Sequence, residues 1–167
     1  MTAQKKKIVL IRPLVFSKTR PYYGAPLALL AISKILAMEG YKIKIVDPLT
    51  HKDYVGAVVR EAKDAICVGI SALTGYSIFD GLQISRVVKK KYPKVPIVWG
   101  GWHPSILPLE TIKDENVDVV VYGQGERTFT ELVHALEKKK TLKNVKGIIY
   151  KDNKGKIIQN PPRSPES

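Results

Sequence analysis

Cysteine is almost absent from this 167-residue sequence, in which Cys67 is the single example. One cysteine excludes a disulfide framework, and it excludes a zinc or iron–sulfur site built on several cysteines of this chain. Long apolar runs are also lacking, since none reaches the roughly 18 residues that a membrane-spanning helix requires. The N-terminus carries no apolar segment followed by a cleavage site, as a signal peptide would. The sequence therefore predicts a soluble, cytoplasmic protein without a membrane partner.

Acidic residues are few compared with basic ones: 15 Asp and Glu stand against 28 Lys and Arg, for a net charge of +13. Two lysine triplets end helical patterns, where cations complement the exposed carbonyls of a last turn: Lys89-Lys90-Lys91 and Lys138-Lys139-Lys140. No aromatic side chains alternate with the basic runs to stack on bases. This placement favours a solvated lysine surface, and a nucleic-acid interface remains the less favoured alternative.

Apolar strand-like runs alternate with amphipathic helical patterns through most of the chain. The predicted strands are residues 8–11, 42–46, 65–70, 96–99 and 117–122. The predicted helices are residues 27–38, 51–63, 78–92 and 125–139, with a short helix or turn at 105–112. Such alternation predicts an α/β fold: a Rossmann-like, doubly wound, mainly parallel five-stranded sheet with helices on both faces.

The last part of the chain has a different pattern. We expect residues 1–145 to form the Rossmann-like domain, and residues 146–159 to form a β-hairpin appended to it, with a turn at 153–155. Residues 160–167 contain Pro161, Pro162 and Pro165, which indicates a linker or tail.

Ligands of open parallel sheets bind beyond the carboxyl ends of the strands, so the residues that follow each predicted strand are the candidates for a site. They include glycines and small hydroxyl residues but no acid–base pair, which suits a large or phosphate-bearing ligand close to the backbone and does not suggest a catalytic constellation. The candidates are Arg12, Leu14, Ser71, Leu73, Thr74, Gly75, Gly100, Gly101, Trp102, His103, Gly123, Gly125 and Glu126.

Three common chemistries of this sheet edge do not fit the sequence. A dinucleotide site needs glycines directly after the first strand, where Arg12-Pro13-Leu14 stands. A P-loop needs Gly-Lys-Ser/Thr, a tripeptide that does not occur. A phospho-receiver needs clustered acidic residues after the first and third strands, which end at Arg12 and Ser71 instead.

Ser71-x-Leu73, followed after 26 residues by Gly100-Gly101, resembles part of the signature of cobalamin-binding domains. Five stretches together, in order, resemble the N-terminal cobalamin (B12)-binding domain of B12-dependent radical SAM enzymes: residues 24–30, 68–75, 98–104, 122–126 and 160–163. The resemblance implies cobalamin across the carboxyl edge, with its nucleotide tail buried between sheet and helices, and all the candidates above as its contacts.

The resemblance also suggests individual roles. Gly75, Gly100 and Gly101 would leave a channel for the tail, and Ser71 and Thr74 would supply hydrogen bonds within it. The free N–H groups where a helix begins at Gly125-Glu126 suit ribose or phosphate oxygens. Glycines that merely form turns after strands are the alternative explanation of this pattern.

The sequence departs from the cobalamin signature in one respect. The signature's Asp-x-His-x-x-Gly, whose histidine binds cobalt, would follow the first strand, where there is no histidine. The resemblance to the radical SAM branch implies cobalt without a histidine ligand. His103, in Trp102-His103-Pro104, is interpreted as a turn histidine near the cofactor's rim, and a metal ligand or proton donor is the less favoured alternative. Candidates to face the lower side of cobalt are Arg12, Leu14, Tyr22 and Tyr23.

A radical SAM domain binds its iron–sulfur cluster through three cysteines, which this chain lacks. We therefore expect no iron–sulfur cluster and no cleavage of S-adenosylmethionine by this chain, but a radical SAM domain as its partner in cis or in trans. The parent enzyme implied by the resemblance is a methyltransferase or a related enzyme. The chain could be an excised domain, a truncated gene product or a stand-alone corrinoid carrier, and the sequence leaves these three alternatives open. A cofactor-free interaction module is the alternative function, and it predicts no pocket behind Gly100-Gly101.

Overall fold

The computed structural model describes residues 6–15 and 24–164. Its strands form one sheet in the order β2-β1-β3-β4-β5-β6-β7. The first five are parallel, and the last two are antiparallel to their neighbours. The strands are β1 (Lys7–Ile11), β2 (Lys42–Val46), β3 (Ala65–Ser71), β4 (Ile97–Gly100), β5 (Val119–Val121), β6 (Ile148–Lys151) and β7 (Ile157–Gln159).

Helices cover both faces of the sheet. They are α1 (Leu27–Met38), α2 (Tyr54–Ala62), α3 (Tyr76–Lys91), α4 (Trp102–Ile106), α5 (Pro108–Ile112) and α6 (Gly125–Glu137). Helices α1 and α6 contribute to the core on one side of the sheet, here named the α1/α6 face, and α2, α3 and α5 to the core on the other side. Within residues 6–15 and 24–164, no helix is long and apolar enough to cross a membrane.

The first strand shows why the sheet is sandwiched. Ile8 and Leu10 belong to the core of the α1/α6 face, whereas Val9 and Ile11 belong to the opposite core, and all four are fully buried. Successive side chains of a strand point to opposite faces, so an unbroken apolar run needs cover on both. The predicted Rossmann-like, mainly parallel α/β sheet with helices on both faces is thereby confirmed.

The predicted hairpin forms, and it extends the sheet from five strands to seven. Strand β6 pairs antiparallel with β5, with Val119 opposite Tyr150, and β7 pairs with β6. Because β6 adds to the edge of β5, it covers backbone groups that an edge strand would leave unpaired. The turn at residues 153–155 lies between β6 and β7, as expected.

The described part of the Pro-rich tail packs against the domain, although its composition indicates a linker. The buried Asn160 side-chain amide donates to the carbonyls of Leu142 and Val145, both at 2.7 Å. The Arg163 Nε donates to Thr128 Oγ1 at 2.8 Å. These bonds fix where the chain leaves the sheet, alongside the first half of α6.

Cys67 is fully buried in β3, and burial raises the pKa of its thiol to about 12. Only the thiolate is a good nucleophile, so the folded protein should not react with iodoacetamide at pH 8. We expect one equivalent of label after denaturation and almost none before it, as measured by mass spectrometry. Rapid stoichiometric labelling of the native protein would show that β3 opens or that Cys67 is exposed.

Candidate functional site

A pocket of about 250 Å³ opens at the carboxyl ends of β3, β4 and β5 on the α1/α6 face. Helix α1 forms one wall and the beginning of α6 forms the other. Its lining residues are Ala28, Leu29, Ile32, Gly69, Ile70, Ser71, Val98, Trp99, Gly100, Gly101, Val121, Gly123, Gln124, Gly125, Glu126 and Phe129. The pocket lies at the edge where ligands of open parallel sheets bind.

The pocket exists because the sheet carries little side-chain volume beneath it. Gly69 and Ser71 stand two apart on β3 and so share a face, and Gly100 ends β4 beside them. A Cβ built on Gly100 would approach Val121 at 3.6 and 3.8 Å, which is ordinary contact, so a larger side chain there would occupy the pocket. A Cβ on Gly69 would lie 2.7 Å from Leu10 Cδ2, so that glycine also makes room for the Leu10 side chain. Gly100 leaves open the space that a bulky apolar group needs.

The chemistry of the pocket changes with depth. Leu29, Val98 and Phe129 are at most 3% exposed and present only carbon to its inner part. The polar lining side chains, Ser71 and Glu126 among them, belong to the residues nearest the carboxyl edge. In the part of the chain that the structure describes, the Ser71 hydroxyl has no hydrogen-bond partner and is free to bind a ligand.

One serine links the two glycine loops at the mouth of the pocket. The Ser105 hydroxyl donates to the Gly101 carbonyl at 2.8 Å and accepts from the Gly123 N–H at 3.1 Å. Gly101 has φ 97° and ψ −164°, a backbone region almost restricted to glycine. A Cβ on Gly101 would lie 3.0 Å from both the Ala72 carbonyl oxygen and Ser71 Oγ. The loop geometry therefore depends on glycine at this position.

Five predicted contacts lie outside this pocket, on the β3–α3 loop and in the first two residues of α4, at the same edge. Thr74 Oγ1 and His103 Nδ1 are 3.4 Å apart. The Leu73 N–H donates to a serine hydroxyl at the start of α3, and Gly75 precedes that helix with φ 112°. Leu73 and Trp102 are 46% and 67% exposed, so they offer apolar surface beside the pocket.

Arg12 and Leu14 lie apart from the pocket, on the loop after β1. The Arg12 guanidinium pairs with Asp47 at 2.7 Å and donates to the Gly24 carbonyl at 2.6 Å. This pairing ties the loop after β1 to the end of β2 and to the residues just before α1. Tyr22 and Tyr23, the other candidates for the lower side of cobalt, lie outside the described residues.

The buried side chain of Asp80, on α3, also holds the loop after β1 in place. Its carboxylate accepts the Leu14 N–H at 2.8 Å and the Tyr54 hydroxyl at 2.7 Å, and burial together with Asp80 raises the pKa of Tyr54. Asp80→Ala should lower the free energy of unfolding by about 2–4 kcal/mol, because the buried Leu14 N–H and the partly buried Tyr54 hydroxyl lose their acceptor. Urea denaturation measures this loss, and the isosteric Asp80→Asn should show a smaller one. An unchanged Asp80→Ala midpoint would contradict the assigned role.

Sequence reasoning placed Ser71, Gly100, Gly101, Gly123, Gly125 and Glu126 at this edge, and the structure brings these six together in the pocket. It missed the walls of the inner part, including Ile32, Val98 and Phe129. Their apolar side chains carry the same pattern as the rest of the core, so periodicity does not distinguish them. Gly69 did offer a signal, because a glycine inside a buried strand often marks a close approach.

Comparison with known proteins shows the family to which the chain belongs. The family model for the B12 binding domain matches residues 13–133, which include every residue that lines the pocket. The chain belongs to the B12 binding domain family. Cobalamin is therefore its cofactor, as predicted, and the resemblance seen in the sequence is confirmed. A cofactor-free module predicts no pocket behind Gly100-Gly101, and the structure has one there.

An uncharacterized methyltransferase of Pyrococcus horikoshii is 34% identical over 163 residues, which cover 94% of this chain and 35% of that protein. Among solved structures, the radical S-adenosylmethionine methyltransferase TsrM from Kitasatospora setae, with cobalamin and a [4Fe-4S] cluster bound, superposes with a TM-score of 0.78. It is 20% identical and is matched over 96% of this chain and 30% of its own.

The cobalamin-dependent S-adenosylmethionine radical enzyme OxsB, with aqua-cobalamin and S-adenosylmethionine bound, also has a TM-score of 0.78. It is 18% identical, and the match covers 96% of this chain and 23% of that one. At these identities the two solved structures support the fold. The chain spans about a third of the length of the curated relatives it matches.

The three histidines occupy three separate places. His103 lies beside Thr74, and His51 Nδ1 is 3.3 Å from the Asp47 carbonyl oxygen. His134 of α6 pairs with Glu39, the residue that follows α1. Among the described residues, no three His, Cys, Asp or Glu side chains come together to hold a metal ion.

Proposed function

We propose that this domain holds cobalamin across the carboxyl edge of its sheet, with the nucleotide tail in the pocket between α1 and α6 and without a histidine on cobalt. The observation that carries the proposal is the pocket itself, a carbon-lined cavity above Gly69, Ser71 and Gly100 in a chain of this family. Its depth suits an apolar aromatic base, and its polar rim suits a ribose and a phosphate.

Each part of the rim has a specific role in this proposal. The free Ser71 hydroxyl donates a hydrogen bond to the tail. Gly100 and Gly101 let the tail approach the backbone closely. The first N–H groups of the 13-residue helix α6, at Gly125 and Glu126, point along its axis toward the pocket mouth and bind ribose or phosphate oxygens.

The remaining predicted contacts lie along the corrin ring. They lie beside the pocket mouth, on the β3–α3 loop (Leu73, Thr74 and Gly75) and at the start of α4 (Trp102 and His103). The exposed side chains of Leu73 and Trp102 shield the ring edge from water. Arg12 and Leu14 face the lower side of cobalt in this proposal, because the loop that carries them begins at the same edge, where β1 ends. Their bonds to Asp47 and Asp80 keep that loop in place.

The absence of a histidine from the loop after β1 supports cobalt without a protein nitrogen ligand. His103 lies on α4 and not on the loop after β1, and its Nδ1 is 3.4 Å from Thr74 Oγ1. This position suits a residue at the rim of the cofactor. In this arrangement the protein excludes water and orients the cofactor, while the cobalt supplies methyl-transfer or redox chemistry.

The whole protein in which the domain works is a further part of the proposal. A cytoplasmic radical SAM domain, in cis or in trans, supplies the radical chemistry, and the resulting enzyme is a methyltransferase or a related enzyme. The chain acts as corrinoid carrier within it and does not itself cleave S-adenosylmethionine. The relatives include a methyltransferase and two radical S-adenosylmethionine enzymes, each about three times the length of this chain or more, which supports this division of roles.

Reconstitution with hydroxocobalamin tests the binding itself. We expect the desalted protein to retain about one corrinoid per chain, and Ser71→Ala to weaken binding by about tenfold through loss of one hydrogen bond. Ser33→Ala is the matched control. Ser33 is buried on α1, donates to the Leu30 carbonyl and is not among the described residues that line the pocket. A folded protein that emerges colourless from the desalting column would refute the proposal.

A further inference from the structure

We propose that the pocket selects corrinoids whose tail ends in an apolar benzimidazole over corrinoids whose tail ends in adenine, and that Val98 is a determinant of this selection. The inference rests on the proposed function, because it concerns what the same pocket takes at its inner end. It adds a discrimination that cobalamin binding by itself does not require.

The order of residues along each element gives the depth of each lining group. The parallel strands run toward the carboxyl edge, so Gly69 lies deeper than Ser71, and Val98 lies deeper than Gly100. Helix α6 begins at the edge, so Phe129 lies about one turn deeper than its first residue. The inner layer thus consists of Gly69, Val98 and Phe129 together with Leu29 and Ile32 of α1.

Within the described chain, this inner layer holds no polar side chain. The backbone of the inner layer also has few free hydrogen-bonding groups. Its N–H and carbonyl groups are already used in the pairing of β3 with β4, where Gly69 lies opposite Val98, and in the helical bonds of α6. A group that reaches the inner layer therefore makes only apolar contacts with carbon atoms and finds no hydrogen-bond partner there in the described part of the chain.

The two tail bases differ at the part that reaches deepest. Dimethylbenzimidazole carries two methyl groups on its six-membered ring, whereas adenine carries ring nitrogens and an exocyclic amine there. Burial of the methyl groups is favourable. Burial of the adenine groups leaves donors and acceptors without partners, and each unpaired group carries a desolvation cost. The expected discrimination is about 30-fold or more in affinity.

Val98 allows a direct test because threonine is nearly isosteric with valine and is accepted in strands. Val98→Thr places a hydroxyl at the inner end of the pocket without enlarging it. The matched control is Val119→Thr on β5, which adds the same hydroxyl to the same core but does not line the pocket.

The experiment measures dissociation constants of the full chain by absorbance titration, with hydroxocobalamin, its adenine-tailed counterpart and the tail-less corrinoid cobinamide. For the wild type we expect hydroxocobalamin to bind about 30-fold tighter than the adenine-tailed form. Val98→Thr should reduce that ratio by about fivefold or more, and Val119→Thr should leave it unchanged. The ratio is insensitive to a general loss of stability, which weakens both ligands alike.

Two results would overturn the inference while leaving cobalamin binding intact. Equal affinity for the two tailed corrinoids would show that the pocket does not discriminate between benzimidazole and adenine. Cobinamide binding as tightly as hydroxocobalamin would show that the tail stays outside. Failure to bind any of the three corrinoids would instead refute the proposed function, and the inference with it.

Discussion

Replacement of Gly100 by leucine should abolish cobalamin retention while the domain stays folded. A Cβ at Gly100 meets only Val121, at 3.6 and 3.8 Å, so the first atom fits and the rest of the side chain extends into the pocket. Its isobutyl group then occupies the space assigned to the tail. We expect affinity for hydroxocobalamin to fall by about 100-fold or more, because steric exclusion removes the buried contacts of the whole base.

The matched control is Ala37→Leu, an exposed position of α1 that does not line the pocket. Thermal unfolding and far-ultraviolet circular dichroism of both variants show whether the fold is retained, and absorbance titration gives the affinities. Unchanged affinity in a folded Gly100→Leu protein would place the tail elsewhere on the molecule.

Gly101→Ala should destabilise the domain by about 2–5 kcal/mol. Its φ of 97° and ψ of −164° alone cost a side-chain-bearing residue about 1–3 kcal/mol. In addition, the new Cβ would meet the Ala72 carbonyl oxygen and Ser71 Oγ at 3.0 Å, both on the rigid end of the sheet. Displacement of Ser71 should also weaken hydroxocobalamin binding.

Gly75→Ala separates the cost of the backbone conformation from the cost of the close contacts made by the new Cβ. Gly75 has a similar backbone conformation, with φ 112° and ψ −142°, but among the described residues, apart from its two chain neighbours, no atom lies within 4 Å of a Cβ built there. It should therefore show only the backbone cost of about 1–3 kcal/mol. Urea denaturation measures both variants, and equal losses would show that the close contacts at Gly101 contribute nothing.

Hydrophobic patterning was sufficient to predict the alternating part of the fold. Runs such as Ile8–Ile11 are apolar at every position, which only a strand covered on both faces tolerates. The pairing of β6 with β5 was not predictable in this way, because a hairpin's sequence specifies its own turn but not which edge it joins. Asn160 was missed for a similar reason: its partners, the Leu142 and Val145 carbonyls, are distant in sequence.

The rim of the site was predictable because glycine and serine in loops carry a local signal. Gly101, for example, adopts a conformation that other residues avoid, so its presence after a strand points to special geometry. The inner wall carries no such signal, since Val98 and Phe129 face a cavity and Val119 faces the packed core with the same kind of side chain. The pocket-lining residues differ from Val119 only in that, within residues 6–15 and 24–164, no other side chain fills the space in front of them. That difference depends on tertiary packing, which the local sequence does not reveal.

Electron paramagnetic resonance of the domain reconstituted with cob(II)alamin tests most directly whether the tail lies in the pocket with no protein nitrogen on cobalt. A nitrogen ligand, from the tail base or from a histidine, splits the cobalt lines into triplets. We expect retained corrinoid without that splitting, in the wild type and in His51→Ala and His103→Ala alike. Triplet splitting would contradict this arrangement. Its loss in one histidine variant would identify a protein ligand, and its persistence in both variants and in His134→Ala would mean that the tail base stays on cobalt.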